Sequence, residues 1–424
     1  MINKLTLIFT GIFLFILAFF SCKTDTSNRT KNSDSTIPEL QTGAVSPMPN
    51  EWIDADTQHK VKKLVNRAGN NRSFYFHNNP FLPTADKQGF LMLFSGSTDS
   101  INQFFTVDLN SGQVNQITHQ GGNKKGEILG VKSRKVFYMI HDSVFSTHID
   151  THKTEFIYEF SDDVIGSVTS LNADETLLGG ALITKEENDL FKKNPKKSDY
   201  FDKIYEAKLK RSLIIIDVNT KEISTIYSEN AWLNHIQFSP TDPNILMYCH
   251  EGPWHKVDRI WNINLETKEH QLMHKRKVDR EIAGHEFFSP DGKSIWFDLQ
   301  IPRGETFYLA NRGVYANETL KYALKRNEWS IHFNIAPDLQ TFAGDGGDEG
   351  QVAQAKDGKW LYLFTPKQDS LVSEKLVNMK FHDYDLEPNV HFSPDGKWVI
   401  FRANFEGSTQ IYAVELKKHR FNEN

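Results

Sequence analysis

One short motif recurs along the second half of the chain and limits what the chain can fold into. It is an apolar strand that ends in Ser-Pro or Ala-Pro, and two copies continue as Ser-Pro-Asp-Gly-Lys. Aligned on the proline, the four copies span 235–240, 285–290, 332–337 and 389–394. A strand, a tight turn and a second strand, repeated at a spacing of roughly 50 residues, predict a fold of successive small sheets.

A second repeat supplies the other half of each sheet. In it an apolar strand ends in Asp, Asn or Thr and is followed by a polar turn and another strand. The instances lie at Asp108, Asp150, Asp217, Asn264, Asn311 and Thr365, with a terminal strand around Val414. Seven such hairpins, each joined to a strand-turn-strand unit, predict an all-β protein, a seven-bladed β-propeller with four-stranded blades.

Composition narrows the possible partners. With 424 residues, 39% of them hydrophobic, the chain is long and apolar enough to bury a large core. Its formal net charge of −5 indicates neither nucleic acid nor a broad anionic membrane surface as a partner. The two cysteines, Cys22 and Cys249, are too few for a disulfide framework.

The N-terminus has the pattern of an export signal. Lys4 precedes an apolar run over 5–20, which is shorter than the ~20 residues of a membrane span. Ser21 and Cys22 then follow, as in a bacterial lipoprotein signal. We therefore expect a lipoprotein-type signal peptide over 1–22, a flexible tether over 23–50 and the folded domain over 51–424. Signal cleavage without lipidation is the alternative. Both interpretations export the protein, which is then periplasmic or an outer-membrane lipoprotein.

One charged segment, 185–212, interrupts the strand pattern within the third predicted blade. Its second half has helical periodicity. It is interpreted as a solvated excursion, with a basic cap over one face of the ring as the functional alternative. The segment ends at Arg211, where the next strand begins.

The repeat places the same residue type at one register. His235, His285 and His332 each lie five residues before the motif proline, and Asn389 takes that place in the fourth copy. Because the innermost strand of every propeller blade lines the central channel, we expect these side chains to face one another. Packing does not call for repeated titratable groups, so the ring predicts metal binding or proton transfer. Hydrogen-bonded polar side chains around channel water are the alternative.

The last copy adds oxygen ligands. Strand alternation would put Glu387, Asn389 and His391 on one face. Together with His285 they offer nitrogen and oxygen to a divalent metal such as Mn²⁺ or Zn²⁺. No sulfur is present, which argues against a purely structural zinc site.

Four segments also carry a family resemblance. They are CHEGPWHKVDRIW (249–261), GHEFFSPDG (284–292), GDGGDE (344–349) and FSPDGKWVIFRANFEG (392–407). On these motifs the sequence resembles the oligogalacturonate lyase family, polysaccharide lyase family 22, over most of the chain beyond residue 50. The resemblance implies a seven-bladed propeller that cleaves short oligogalacturonides by β-elimination with a metal, commonly Mn²⁺.

The resemblance also implies roles for single residues. His285 matches the first metal ligand, His235 the catalytic base and Arg211 the catalytic arginine. Glu387 and Asn389 stand where the family has paired histidines. These harder oxygen ligands favour Mn²⁺, Mg²⁺ or Ca²⁺, with Zn²⁺ as a further possibility.

The predicted metal set is therefore His285, Glu387, Asn389 and His391, with His235 and Arg211 as the catalytic pair. Predicted substrate-binding residues are His250, His255, Arg259, Arg303 and His332. For several of these, salt bridges or hydrogen bonds between blades are an equally good explanation. Two other functions stay open: a lyase for another uronate-containing polysaccharide, and a non-catalytic periplasmic propeller that binds or scaffolds.

Overall fold

A computed structural model describes residues 37–350, 353, 356 and 358–419. The predicted signal peptide and the tether before residue 37 lie outside the described residues. The strands are β1 (Glu39–Leu40), β2 (Glu51–Asp54), β3 (His59–Lys63), β4 (Asn71–Arg72), β5 (Phe81–Pro83), β6 (Phe90–Thr98), β7 (Ile101–Asp108), β8 (Val114–Gln116), β9 (Lys124–Gly130), β10 (Lys135–Ile140), β11 (Ser143–His148), β12 (Thr154–Glu159), β13 (Ile165–Leu171), β14 (Leu177–Ile183), β15 (Arg211–Asp217), β16 (Ile223–Glu229), β17 (Leu233–Phe238), β18 (Ile245–His250), β19 (Ile260–Asn264), β20 (His270–Leu272), β21 (Ile282–Phe288), β22 (Ser294–Gln300), β23 (Phe307–Gly313), β24 (Thr319–Leu324), β25 (Phe333–Ile335), β26 (Phe342–Gly344), β27 (Trp360–Lys367), β28 (Ser370–Asn378), β29 (His391–Phe392), β30 (Trp398–Ala403) and β31 (Gln410–Lys418). The helices are α1 (Lys185–Lys193), α2 (Lys197–Ala207) and a 3₁₀ turn at Arg326–Glu328. The all-β prediction is confirmed.

The strands pair mainly with their neighbours in sequence. Three sheets have four strands each, in the orders β12-β11-β10-β9, β13-β14-β15-β16 and β17-β18-β19-β20. An eight-stranded sheet consists of β21 to β24 and β25 to β28, joined by one parallel pair, Ala323 with Ser370. In the fifth sheet, β4 and β5 both pair with β6, which continues to β7 and β8.

The sixth sheet joins the two ends of the described chain. Its order is β1-β2-β3-β31-β30-β29, so β3 hydrogen-bonds along β31, with Val61 opposite Val414. Without β1 and β2 this is another antiparallel group of four strands. The sheets thus contain seven four-stranded antiparallel groups, which begin with β5, β9, β13, β17, β21, β25 and β29.

The Ser-Pro-Asp-Gly copies form the tight turns that the motif predicts. In each, the serine hydroxyl donates to the aspartate carboxylate over 2.6 Å, from Ser289 to Asp291 and from Ser393 to Asp395. Gly292 has a φ of 68° and Gly396 a φ of 67°, which a residue without Cβ adopts readily. The turn reverses the chain between the first and second strands of its group.

Apolar residues pack between successive sheets. Phe137 of β10, for example, belongs to one buried cluster with Leu178 of β14 and Ile214 of β15. A cavity of about 700 Å³ is lined by residues from the first strand of all seven groups. They are Phe81, Ile128, Ser170, Phe238, Phe287, Ile335 and His391.

The charged insertion folds as the helices α1 and α2, which connect β14 to β15. Helix α1 lies in the first half of the segment, where helical periodicity was not expected. Thr184 caps α1 by accepting a hydrogen bond from the backbone N–H of Glu187 (3.1 Å). No helix in the part of the chain that the structure describes is long and apolar enough to cross a membrane.

The predicted tether boundary at residue 51 is too late. Leu40 of β1 pairs with Asp54 of β2, and Met48 is 3% exposed. The Thr42 hydroxyl donates to the Asp54 carboxylate (2.6 Å) and accepts from the indole N–H of Trp52 (2.8 Å). These buried hydrogen bonds tie residues 37–50 to the fold.

Candidate active site

In two of its four copies the repeated histidine register is a β-bulge. In the β17–β18 pair, His235 and Ile236 lie opposite the single residue Tyr248, and in β21–β22 the same happens at His285. His235 and His285 have φ values of 48° and 49°, and Asn389 also has 49°. Outside glycine, this left-handed region is adopted most readily by Asn, Asp and His. The backbone therefore restricts which residues fit this register in these three copies, whereas His332 is not left-handed.

A carboxylate orients His285. Its Nδ1 donates to Asp298 on the neighbouring strand β22, 2.7 Å away. Burial alone would lower the pKa of His285, but the charge and hydrogen bond of Asp298 raise it above its ordinary value. The Nε2 atom has no hydrogen-bond partner among the described residues and is left for a ligand.

A second carboxylate orients His332 in the same way. Its Nδ1 donates to Asp345 over 2.6 Å, and the side chain is 1% exposed. The Tyr75 hydroxyl lies 3.2 Å from Nε2, and a carboxylate oxygen of Glu387 lies 3.8 Å from it. The ring centroids of His285 and His332 are 5.2 Å apart with the planes at 89°. Two carboxylate-bonded imidazoles thus lie side by side.

His235 lies between two acidic side chains. Its Nε2 is 3.5 Å from Glu251 and its Nδ1 is 3.8 Å from Glu286, while the ring is 24% exposed. Both carboxylates also bind Arg259, through Nη1 to Glu251 (2.8 Å) and Nε to Glu286 (2.9 Å). Burial would raise the pKa of Glu286, but Arg259 lowers it to about 2. The acids around His235 are therefore held ionised by the buried guanidinium.

Trp254 connects these two groups. Its indole N–H donates to Glu251 (3.1 Å), and its ring centroid lies 5.6 Å from that of His285. The ammonium of Lys197, from helix α2, lies 6.0 Å from the Trp254 ring. The histidine register, the acidic pair and the helical insertion consequently belong to one site.

Arg211 contacts the insertion and the strand of His235. Its Nε donates to Glu187 over 2.8 Å, and its Nη2 donates to the same carboxylate oxygen. Nη1 donates to the carbonyl oxygen of Leu233, also 2.8 Å away and two residues before His235. The predicted catalytic pair is thus linked through β17.

The four predicted metal ligands do not form one group. Asn389 is fully buried, its side-chain oxygen accepts from the Phe76 backbone N–H (2.9 Å) and its amide donates to the Glu387 carbonyl (3.2 Å). Both ring nitrogens of His391 face backbone oxygens, those of Asn389 and Asn78. Among the residues that the structure describes, no three His, Cys, Asp or Glu side chains are close enough to hold a metal as they stand. The left-handed Asn389 breaks the alternation that predicted a shared face, so Glu387 points toward His332 and His391 lines the cavity.

Comparison with known proteins identifies the family. A family model described as oligogalacturonate lyase matches residues 49–420. The chain belongs to the oligogalacturonate lyase family. The predicted resemblance is confirmed.

Curated and solved relatives agree with this family. The chain is 26% identical over 357 residues to an oligogalacturonide lyase of Pectobacterium atrosepticum, covering 81% of this chain and 89% of the relative. An oligogalacturonate lyase of Dickeya dadantii is 26% identical over 358 residues, with the same coverage. A crystal structure of oligogalacturonate lyase from Vibrio parahaemolyticus superposes with a TM-score of 0.74 at 24% identity, over 87% of this chain and 96% of that one. A structure of an oligogalacturonate lyase in complex with manganese also gives 0.74, at 23% identity, over 90% and 99% of the chains. These structures share the fold.

The predicted substrate residues of this family member are spread out. Arg259 lies in the site, but as the buried partner of two acids, and His332 is oriented by Asp345. His250, at the end of β18, binds Glu229 over 3.0 Å, and His255 is half-buried in the following loop. Arg303 is exposed in the turn after β22, where its backbone pairs with Arg280. Contact of these residues with substrate stays a prediction.

Sequence reasoning missed the carboxylates of this site and one histidine. Glu251 and Glu286 directly follow a histidine in the family motifs CHEG and GHEF, and Asp345 lies in GDGGDE, so the quoted motifs did contain them. His77 was also missed. Burial, together with the nearby His235, lowers the pKa of His77 to about 3, which keeps this imidazole neutral.

Proposed function

We propose that this protein is a metal-dependent lyase that cleaves short oligogalacturonides by β-elimination to give unsaturated uronate products. The observation that carries the proposal is the pair of adjacent imidazoles, His285 and His332, each bonded at Nδ1 to its own carboxylate. Histidines that bind metals characteristically donate their second ring N–H in this way. The family relationship supports oligogalacturonide as the substrate.

We further propose that the fold is a seven-bladed β-propeller. The seven four-stranded groups and their first strands, which all reach one cavity, support this arrangement. A channel lined by the first strand of each blade brings residues far apart in sequence to one site.

His285 and His332 would hold the metal through Nε2, with Glu387 as the nearest carboxylate ligand, once these side chains move closer together and the Tyr75 hydroxyl leaves His332 Nε2. This replaces the predicted roles of Asn389 and His391, because the side-chain polar groups of those two already face backbone partners. Two imidazoles and a carboxylate, with no sulfur, suit Mn²⁺, and Mg²⁺, Ca²⁺ or Zn²⁺ remain compatible. When bound, such an ion supplies Lewis-acid polarisation of the uronate carboxylate, which makes the C5 proton more acidic.

The chain's own residues then bind the substrate and move the proton. Arg211 offers a cation to the carboxylate or to the charge that develops as the C5–H bond breaks. A neutral His235 accepts that proton as general base, the electron pair of the C5–H bond forms a C4=C5 double bond, and the C4–O bond breaks. The leaving oxygen takes a proton from water and departs as the hydroxyl of the shortened chain. Glu251 and Glu286 stabilise the imidazolium that forms, since both lie within 4 Å of its ring.

The test is production of an ultraviolet-absorbing unsaturated product from oligogalacturonides by the purified protein. We expect a chelator to abolish this product and added Mn²⁺ to restore it. Full activity in excess chelator would refute the metal role. If the protein forms no product from oligogalacturonides but does form product from another uronate oligomer, the substrate is that other polymer. The same assay without any product would leave the non-catalytic propeller as the better description.

We also propose that the chain is exported and attached to a membrane by a lipid on Cys22. The sequence of residues 1–22 supports this, since an apolar run of export length ends at Ser21 and Cys22. Fractionation of cells that produce the Cys22→Ser variant tests it. Retention of the variant in the membrane fraction, as in wild type, would contradict the anchor.

A further inference from the structure

Glu187 occupies an unusual place at the start of helix α1. With Thr184 it forms the sequence of a capping box, in which a glutamate three residues after the cap ordinarily bonds back to the cap residue. Thr184 makes its half of that arrangement. The side chain of Glu187 instead turns away, is 1% exposed and accepts two hydrogen bonds from Arg211. Its orientation therefore serves Arg211 rather than the helix end.

The surroundings fix the Arg211 guanidinium on three sides. Glu187 accepts from Nε and Nη2, and Leu233 accepts from Nη1. The guanidinium also lies 5.6 Å from the ring of Trp232. Rings of α1 and α2 pack around that tryptophan, with Phe201 at a centroid distance of 5.2 Å and Tyr200 at 6.2 Å. The helical insertion thus holds both the charge partner and the aromatic neighbour of Arg211.

The burial of the second carboxylate oxygen of Glu187 does not stabilise the fold. Oε2 is buried and has no hydrogen-bond partner among the described residues. A buried carboxylate oxygen without a partner costs free energy, and a buried ion pair by itself adds little to stability. Such a pair is better explained by the orientation that it imposes.

We propose that Glu187 is a positioning residue that holds the Arg211 guanidinium in the orientation needed for catalysis, and that the helical insertion is therefore part of the active site. The catalytic consequence rests on the proposed function, in which Arg211 meets the substrate carboxylate. Two opposing effects follow from removing the charge of Glu187. The Arg211 guanidinium is no longer held in one orientation, which lowers kcat. The anionic substrate is no longer repelled by the charge of Glu187, which leaves KM the same or lowers it.

The experiment compares Glu187→Gln with Glu186→Gln, an exposed acid one residue earlier on the same helix. For Glu187→Gln we expect kcat per folded molecule to fall at least ten-fold with KM unchanged or lower. Its thermal unfolding should lie below that of wild type, because the buried Arg211 loses its anionic partner, so turnover is measured at a temperature at which both proteins are folded. Glu186→Gln should match wild type. Unchanged kcat in a folded Glu187→Gln protein overturns the proposal. A loss of activity that follows only the unfolded fraction also overturns it.

A second measurement does not depend on turnover. Phenylglyoxal modification of Arg211, followed by peptide mass spectrometry, should be several-fold faster in Glu187→Gln than in wild type or Glu186→Gln, since the guanidinium is no longer held. Equal rates would contradict the positioning role even if the wild-type protein proved inactive on oligogalacturonides. Should Glu187→Gln fail to fold, Glu187→Asp serves instead, since it keeps the charge but its shorter side chain does not reach Arg211. The same increase in the rate of Arg211 modification is expected.

Discussion

The buried guanidinium of Arg259 offers a quantitative test of how the site is held together. Arg259 is 3% exposed, and its side chain bonds Glu251 and Glu286, which are 6% and 0% exposed. In the Arg259→Met variant an apolar side chain of similar length would leave both carboxylates without their cation. Removing one partner of a buried ion pair typically costs about 3–5 kcal/mol, because the remaining charge is uncompensated.

The pKa of Glu286 is lowered in agreement with this role of Arg259. Burial raises it, but Arg259, with a smaller contribution from His235, brings it down from 4.5 to about 2. The lowered pKa means that the ionised Glu286 stabilises the fold above pH 4.5 and that this contribution is lost as the pH falls from about 4.5 toward 2. We therefore expect Arg259→Met to lose about 3–5 kcal/mol in the free energy of unfolding at pH 7.

In the Arg259→Met variant, Glu286 should change the stability with pH in the opposite direction to wild type. Without Arg259, burial raises the pKa of Glu286 above its ordinary value, so folding favours the protonated acid. The free energy of unfolding of the variant should then increase as the pH falls from 7 to 5. In wild type, Glu286 stays ionised over this range and does not change the free energy of unfolding. Urea unfolding followed by tryptophan fluorescence at both pH values measures this.

Arg303→Met is the matched control. Arg303 is exposed, and none of the described carboxylates lies within salt-bridge distance of it, so we expect a change below about 0.5 kcal/mol. A cost below 1 kcal/mol for Arg259→Met, or the same pH slope as wild type, would refute the account of Arg259 as the charge that holds the acids ionised.

Three further predictions concern single residues of the site. His235→Ala should lower kcat at least 100-fold in the product assay while the circular dichroism spectrum is kept, and unchanged turnover would exclude His235 as the base. Asp298→Asn should weaken Mn²⁺ binding about 10–100-fold, measured by the metal-induced shift in thermal unfolding, since His285 loses its anionic partner; an unchanged shift would count against His285 as a ligand. Asn389→Ala should cost about 1–3 kcal/mol in urea unfolding, because it leaves the buried Phe76 N–H unpaired and puts alanine at a φ of 49°; a neutral result would mean that Asn389 is not structural.

The fold was largely predictable because its signals are local. Apolar runs separated by Asp-rich and Ser-Pro-Asp-Gly turns mark strands and hairpins without knowledge of distant contacts. The repeat register likewise brought out His235, His285 and His332, since one position in each group recurs in space. The pairing of β3 with β31 was not predicted, because local patterns do not show which segments distant in sequence meet.

The partners in the site were harder to predict. Alternation assumes regular strands, but the bulges at His235 and His285 rotate the following residue, so Glu286 turns inward to Arg259. The contact of Asp298 with His285 depends on the register between two strands, which a sequence pattern does not fix. Glu187 comes from the insertion, whose charged composition favoured a solvated surface segment.

The pairing of β3 with β31 has a consequence for how the chain folds. Residue 61 meets residue 414, so this sheet cannot be completed until nearly the whole chain has been synthesised. Contacts so distant in sequence form late, and β3 presents an unpaired edge until they do. Loss of a few residues from the end of β31 should therefore impair folding more than their number suggests, because it leaves β3 without the strand that pairs with it.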